Sequence, residues 1–256
     1  MGVFRFKKFE VINERSAMKV NTDGVLLGAA MTIREGDRCL LDIGTGTGTI
    51  ALMAAQRVCR TDCHVASALR NDVKVGNVHI DAIDIDEPSA SEAAVNFQNS
   101  PWNGSLHAHN MSLDQFAQSL SSDRTYDVIF SNPPYFEDSL TAPDERKSTA
   151  RHTSEGLSYR DILEFAQERL AQQGRVCLVL PADQEMALCR YARMCGLHLF
   201  RILRIRTVPR KAPGRIVAEF SRVRTDSPAE EMLTIQNEGQ YTQEYLSLMH
   251  DFYLFA

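Results

Sequence analysis

Nowhere in the 256 residues do 18 uncharged apolar residues run together, the length a membrane-spanning helix requires, so no span is expected. The opening MGVFRFKKFEVINER lacks the apolar core of a signal peptide, and a cytoplasmic location is the expectation. Its Met-Gly start also lacks the Ser or Thr that myristoylation requires at the sixth position, where Phe6 stands. Cysteine pairing is missing as well. Cys39, Cys59, Cys63, Cys177, Cys189 and Cys195 form no C-x-x-C unit. Cys59, Cys63 and His64 lie close together but have no fourth ligand at a sensible spacing, so reduced thiols and no metal are expected. Positive charge is in deficit: 28 Lys and Arg against 33 Asp and Glu leave a net −5, which excludes coating of nucleic acid by bulk attraction. Any such contact must come from a local basic face.

What is present is an alternation of short apolar runs with helical patterns, the signature of a doubly wound α/β fold with a mostly parallel sheet. The runs Cys39 to Ile43, Val78 to Ile85 and Tyr126 to Phe130 read as buried strands. The first leads into a helix from Thr49 to Arg57, the second into one carrying Ala90, Ala93, Ala94 and Phe97, with a polar inserted loop from about Arg60 to Asn77 between them. Ser158 and Asp161 make a capping pair for a helix with the stripe Ile162, Leu163, Phe165, Ala166 and Leu170, and Gly174 is read as its stop. Val176 to Leu180 is the next strand, and a helix from Asp183 to Cys195 ends at Gly196. Leu197 to Val208 and Arg215 to Val223 read as an antiparallel C-terminal hairpin at the sheet's end, and Thr242 caps a last helix with Tyr245, Leu246, Met249 and Phe252. With no repeat or linker, a single domain over 1–256 is expected: a flanking segment 1–36, a core 37–225, and a C-terminal strand and helix 226–256.

Asp42-Ile43-Gly44-Thr45-Gly46-Thr47-Gly48 places three glycines at alternate positions directly after a strand. Glycine there permits positive φ and lets backbone approach a ligand closely. The following helix offers free N–H groups, and small cofactors bind at this place in open α/β sheets. A dinucleotide fingerprint wants its third glycine where Thr49 stands, and the Gly-Lys-Ser/Thr ending of a phosphate loop is missing. The G-x-G-x-G loop preceded by an acid resembles that of class I S-adenosylmethionine-dependent methyltransferases. The next strand ends Ala82-Ile83-Asp84-Ile85-Asp86, which puts the Asp84 carboxylate where it can accept from both ribose hydroxyls of such a cofactor.

Asn132-Pro133-Pro134-Tyr135 follows the third strand. Two prolines cannot donate to a ladder, so the turn ends that strand on structural grounds alone. Its chemistry is also specific. The exocyclic amine of a base is a poor nucleophile because its lone pair is delocalised. The Asn132 side-chain oxygen and the Pro133 carbonyl can take one amine hydrogen each, while Tyr135 stacks on the base and aims the lone pair. The tetrapeptide resembles that of the amino methyltransferases, which act on adenine N6, cytosine N4, guanine N2 or a glutamine amide. A narrower resemblance covers most of the chain. Met18 to Gly28, Leu41 to Gly48, Ser131 to Phe136, Ala150-Arg151-His152, Pro209-Arg210-Lys211 and Tyr241 to Tyr245 are together similar to bacterial enzymes that N6-methylate the adenine just 3′ of the anticodon of valine tRNA.

That resemblance implies a Rossmann-like sheet of seven strands, S-adenosylmethionine as cofactor, tRNA as partner and no metal. It places Asn110, where many relatives carry Asp, against the cofactor's adenine. Ribosomal-RNA guanine-N2 methyltransferases, glutamine methyltransferases and a non-catalytic RNA-binding adaptor are the alternatives, and a labelled-methyl assay with nucleoside analysis separates them.

Two weaker signals remain. Thr22-Asp23-Gly24 reads as a helix cap or as part of the cover over the cofactor. Between Arg201 and Arg215 stand Arg204, Arg206, Arg210 and Lys211 with no acid among them, an RNA-facing surface or a charged edge that keeps the protein soluble. Arg146 and Arg151, in the polar stretch Glu137 to Glu155, are the further RNA candidates, on a lid that orders with substrate.

Overall fold

The computed structural model describes residues 2–68, 78–134 and 156–256, with residues 60–68 described as backbone only. A short antiparallel ladder of β1 (Val3–Arg5) and β2 (Glu10–Ile12) opens the chain, and α1 (Thr22–Ala30) follows. The central part alternates as expected: β3 (Cys39–Ile43), α2 (Thr49–Ala68), β4 (His79–Asp84), α3 (Glu87–Gln98), β5 (Leu106–Asn110), α4 (Leu113–Ser119) and β6 (Tyr126–Ser131). After residue 155 come α5 (Tyr159–Arg169), β7 (Leu170–Pro181), α6 (Glu185–Met194), β8 (His198–Arg206), β9 (Arg215–Ser221) and β10 (Ala229–Thr234). A small hairpin of β11 (Gln236–Asn237) and β12 (Gln240–Tyr241) leads to α7 (Gln243–Met249).

The large sheet runs β10-β8-β9-β7-β6-β3-β4-β5, parallel throughout except for β9, which is antiparallel to both neighbours. The inner strands β3, β4, β6, β7 and β9 are largely buried, which fits their apolar composition, whereas the edge strand β10 is mostly exposed. Leu40, Val128, Phe130 and Val179 pack on one face with α1, α2, α3 and α7, while Leu41, Ile129, Leu178 and Ile216 pack on the other with α4, α5 and α6. Among the described residues no helix is long and apolar enough to cross a membrane.

The fold class read from the sequence is the observed one, with three corrections. The sheet has eight strands and not seven, because β10 pairs in parallel with β8 from Ala229↔Arg201 to Thr234↔Arg206. The β8–β9 hairpin therefore lies inside the sheet and not at its end. Second, α2 continues to Ala68, since neither Gly nor Pro occurs between Thr49 and Ala68 to stop it. Much of the expected 60–77 loop is thus helix, and residues 69–77 lie outside the described residues. Third, α5 ends at Arg169 with Leu170 already extended, and Gly174 sits inside β7. A Cβ there would lie 2.8 Å from the Tyr126 carbonyl oxygen, so the residue answers a close approach of β6 and not a helix end.

α1 is buried nearly all round, with seven of its nine residues inside. Three guanidiniums seat its C-terminal end. Arg57 donates to Gly28 O at 2.9 Å, Arg201 to Ala30 O at 2.7 Å and Arg175 to Thr32 O at 2.8 Å, where cations also oppose the negative end of the helix dipole. Buried Glu219 ties this cluster together, accepting from Thr32 N and from Arg201. Arg175, fully buried, pairs with Asp37.

Candidate active site

The glycine turn after β3 has the backbone its composition predicts: Gly44, Gly46 and Gly48 lie at φ of +72°, +56° and +80°. Space as well as φ demands glycine at Gly48, where a Cβ would stand 2.4 Å from Cε1 of Phe97 on α3. The turn is tied to its neighbours by Gly44 N and Thr45 N, which both donate to Ile83 O on β4. Asp42 is fully buried at the end of β3. One of its oxygens accepts from Thr45 Oγ1 at 2.8 Å, while Oδ1 is buried with no hydrogen-bond partner among the described residues. Burial pushes its carboxyl up to about 7, against the opposing pull of the Thr45 hydrogen bond.

Asp84 stands at the tip of β4. Its Oδ2 accepts from Gly46 N at 2.8 Å and its Oδ1 from Asp86 N at 2.9 Å. Burial raises its pKa, and these two bonds oppose the shift. Each oxygen keeps a second lone pair, so the carboxylate can brace the glycine turn and still accept from a ligand's hydroxyls. Asn110, opposite Asp84 in the β4–β5 ladder, donates from Nδ2 to Asp84 O and Ile85 O, both at 3.1 Å. Its amide oxygen is therefore the end that faces outward, the atom an aspartate would present. Between them Ile85 is 75% exposed, an apolar face the sequence reading passed over. The signal was available: a single isoleucine between two aspartates at a strand tip.

The segment 12–21 is a strap laid across the glycine turn, and nothing in its composition announced this. Glu92 on α3 accepts from the backbone of Glu14, Arg15 and Ser16, at 2.8, 2.6 and 3.2 Å. Asn96, one turn further, exchanges hydrogen bonds with the Ile12 backbone and donates to Thr47 O at 2.9 Å, joining strap, helix and turn. Where a Gly46 Cβ would project, Met18 O is 3.4 Å away. The cleft beneath the strap is lined by Met18, Asn21 and Gly24 opposite Gly44, Gly46 and Asn132. Thr22 and Asp23, expected in this cover, stand beside it in the first turn of α1. The N-cap is Asn21, and Asp23 pairs with Arg215 at 2.8 Å.

The turn that follows β6 reaches the same cleft. Ser131 Oγ donates to Ile43 O at 2.6 Å, which locks the end of β6 to the end of β3. Asn132 is 6% exposed, and its Nδ2 faces Met18 Sδ and Asn21 Oδ1, each at 3.5 Å. Pro133 is buried and Pro134 half-buried. Tyr135 lies outside the described residues, as do Arg146, Arg151 and the whole stretch 137–155.

The basic segment is largely committed within the fold. Arg201 pairs with Glu219 and Glu231, and Arg204 pairs with Glu185 at 2.5 Å and Glu230 at 2.8 Å. Arg206 donates to Thr234 Oγ1 and Pro209 O. β10 brings Glu230 and Glu231 alongside β8, so the charges that looked unopposed in sequence, Arg204 among them, are opposed in space. Arg210 and Lys211 differ. Both are exposed on the loop between β8 and β9, at the C-terminal end of the parallel strands where Asn132 also lies, and their side chains make no hydrogen bond or ion pair among the described residues. As for the Cys59, Cys63 and His64 group, the side chains of the last two are not among those described, and no three possible ligands come together among those that are.

Residues 29–198 match the family model described as RMKL-like, methyltransferase domain. The chain is 38% identical over 252 residues to a tRNA1(Val) (adenine(37)-N6)-methyltransferase of Parabacteroides distasonis, covering 98% of this chain and 97% of that one. It is 37% identical over 255 residues to the protein of the same name from Serratia proteamaculans, covering 99% and 90%. Among solved structures, a methyltransferase of Pyrococcus furiosus superposes with a TM-score of 0.52 at 21% identity, over 83% of this chain and 89% of that one. An Agrobacterium tumefaciens protein described as a predicted O-methyltransferase reaches 0.60 at 14% identity, over 90% and 96%. At such identities these two establish the fold alone.

Proposed function

Because the chain belongs to the family of the tRNA1(Val) (adenine(37)-N6)-methyltransferases, we propose that it transfers a methyl group from S-adenosylmethionine to N6 of adenine 37 in a valine tRNA, in the cytoplasm. One observation carries the reading: the Asn132-Pro133 turn is bonded to the end of β3 through Ser131 and Ile43, so a pair of amine acceptors stands beside a glycine turn fit for the cofactor. The turn fits that group by its own features. It has three glycines at positive φ, a ribose-ready carboxylate in Asp84, an outward amide oxygen in Asn110 for an adenine amine, and the exposed Ile85 for an adenine face. Buried Asp42, with one oxygen unpartnered among the described residues, belongs to the same turn.

When bound, S-adenosylmethionine supplies an electrophilic methyl group on its sulfonium. The protein's part is to make the amine a nucleophile and aim it. Asn132 Oδ1 and Pro133 O accept the two amine hydrogens and draw the nitrogen toward tetrahedral geometry, while Tyr135 stacks on the base. Arg210 and Lys211, with Arg206 at their root, hold tRNA phosphates at the rim, and Arg146 and Arg151 are further candidates for phosphate contact. Labelled cofactor incubated with tRNA, followed by mass spectrometry of the nucleosides, tests the reaction: N6-methyladenosine supports it, and N2-methylguanosine replaces it. Asn132→Ala is expected to lower turnover by about 10² to 10³ with cofactor affinity nearly unchanged.

A further inference from the structure

An asparagine can turn either end of its amide toward a substrate, and only the oxygen can take a hydrogen from an amine. Around Asn132 the choice is made by a neighbour whose own orientation is not in doubt. Asn21 caps α1: its Oδ1 accepts from Gly24 N at 2.8 Å, and its Nδ2 donates to Lys19 O at 3.1 Å. Its two ends are thus assigned by a backbone donor and a backbone acceptor, which cannot exchange roles. The second lone pair of that same oxygen faces Asn132 Nδ2 at 3.5 Å, and Met18 Sδ lies at 3.5 Å from the same nitrogen. Both neighbours are acceptors, matching the two hydrogens of an NH2 group. Turned over, the buried amide would press its oxygen against a carbonyl-type oxygen and a thioether. At 3.5 Å the Asn21 contact is long, as catalytic hydrogen bonds commonly are before substrate is bound.

We propose that Asn21 is a positioning residue for the transfer. As the N-cap of α1 it passes the polarity of a helix N-terminus to Asn132 and so presents the Asn132 oxygen to the target amine. The inference rests on the reading in which Asn132 accepts an amine hydrogen. Asn21 then has two separable duties, capping and orienting. Serine can perform the first but is too short for the second; aspartate keeps an acceptor for both and gives up only the bond to Lys19 O at the exposed end.

Three variants separate the duties. Asn21→Ser is expected to lower kcat at least about tenfold while cofactor Kd stays within about twofold and the melting temperature barely moves, since serine is as good a cap as asparagine. Asn21→Asp is expected to keep kcat within about threefold. Placed on Asn132→Ala, Asn21→Ser is expected to add no more than about twofold, because the group it orients is gone. A serine variant that turns over normally while Asn132→Ala is impaired overturns the inference and leaves the site reading standing. So does a serine variant that loses the same factor in both backgrounds, which marks a structural role only. If the serine protein does not fold, the aspartate variant decides: retained kcat supports the role, and lost kcat at unchanged cofactor Kd refutes it. Should Asn132→Ala itself turn over at the wild-type rate, the site reading and this inference fall together.

Discussion

Gly48→Ala and Gly196→Ala form a matched pair that tests what the glycine turn requires. Both residues are left-handed, at φ of +80° and +69°. Around Gly196 nothing lies within 4 Å of an added Cβ, whereas at Gly48 it would meet Cε1 of Phe97 at 2.4 Å and Cζ at 2.9 Å. Phe97 is 2% exposed and packed in the core, so the ring cannot swing away. The backbone cost common to both is about 1–2 kcal/mol. Overpacking adds about 1–3 kcal/mol at Gly48 alone, for roughly 2–5 in total. A chain of 256 residues melts with an entropy near 0.5 kcal/mol/K, so each kcal/mol lowers the melting temperature by about 2 °C. Gly196→Ala should therefore lose about 2–4 °C and Gly48→Ala about 4–10 °C, read by calorimetric melts without cofactor. Cofactor affinity should fall only in the second, since Gly48 N and Gly48 O close the turn onto Thr45 and Leu52. Equal melting shifts in the two variants would mean that Phe97 yields, and that the third glycine is held by φ alone.

Asp84→Ala removes a charged acceptor worth roughly 1.5–3 kcal/mol, so calorimetry should show cofactor binding weaker by about ten- to a hundredfold with tRNA affinity unchanged. Unchanged cofactor affinity would move the ribose contact to Asp86. Asp42 titrates at about 7 in the fold against 3.8 when exposed, a raised pKa, so its neutral form favours the native state and that contribution is lost as pH climbs from about 4 to about 7. Asn at this position should then melt above the wild-type protein at pH 8 and draw level with it near pH 4; a gap that is constant across the range refutes the burial argument. Replacing Arg210 and Lys211 together should weaken tRNA binding and flatten its log–log salt dependence by about 0.7 to 0.9 per lost phosphate contact. Wild-type affinity and slope in that double variant would place the RNA surface elsewhere.

The parts of the fold legible in the sequence are those set by near neighbours. Three apolar runs, the Ser158–Asp161 capping box and the Thr242 cap all stand where local composition put them. In the site, the glycine turn and the Asn132 turn were legible for the same reason, since each is a short string whose residue types are required by its own backbone. What escaped was settled at long range. Arg204 looked free because its partners Glu185 and Glu230 lie 19 and 26 residues away, and only the β8–β10 register brings the second alongside. The strap escaped because Glu92 binds backbone N–H groups, which any residues would provide, so no side-chain pattern marks the segment. Asp81 is a third case. It collects His79, His109, Arg124 and Tyr126 from four positions along the chain, and against the cost of burial the two histidines and Tyr126 hold its carboxyl well below the usual range.

The seating of α1 by Arg175, Arg201 and Glu219 dictates an order of assembly. Ala30 and Arg201 are 171 residues apart, and Thr32 and Glu219 are 187 apart. At about 5–20 residues per second, roughly 9 to 37 s separate their synthesis. During that interval the helix that carries Val25, Leu26 and Leu27 into the core can already pack on α2, where Arg57 holds Gly28 O, but its C-terminal end still lacks Arg201 and Glu219. The strap can engage Glu92 early, and the glycine turn can meet Asp84 early, so a nascent chain reaches a cofactor cradle whose roof helix rests on α2 but is not yet tied at its C-terminal end. A ribosome stalled before β8 would leave Ala30 O and Thr32 N without their Arg201 and Glu219 partners, and the C-terminal end of the helix would be fixed only as the last strands emerge.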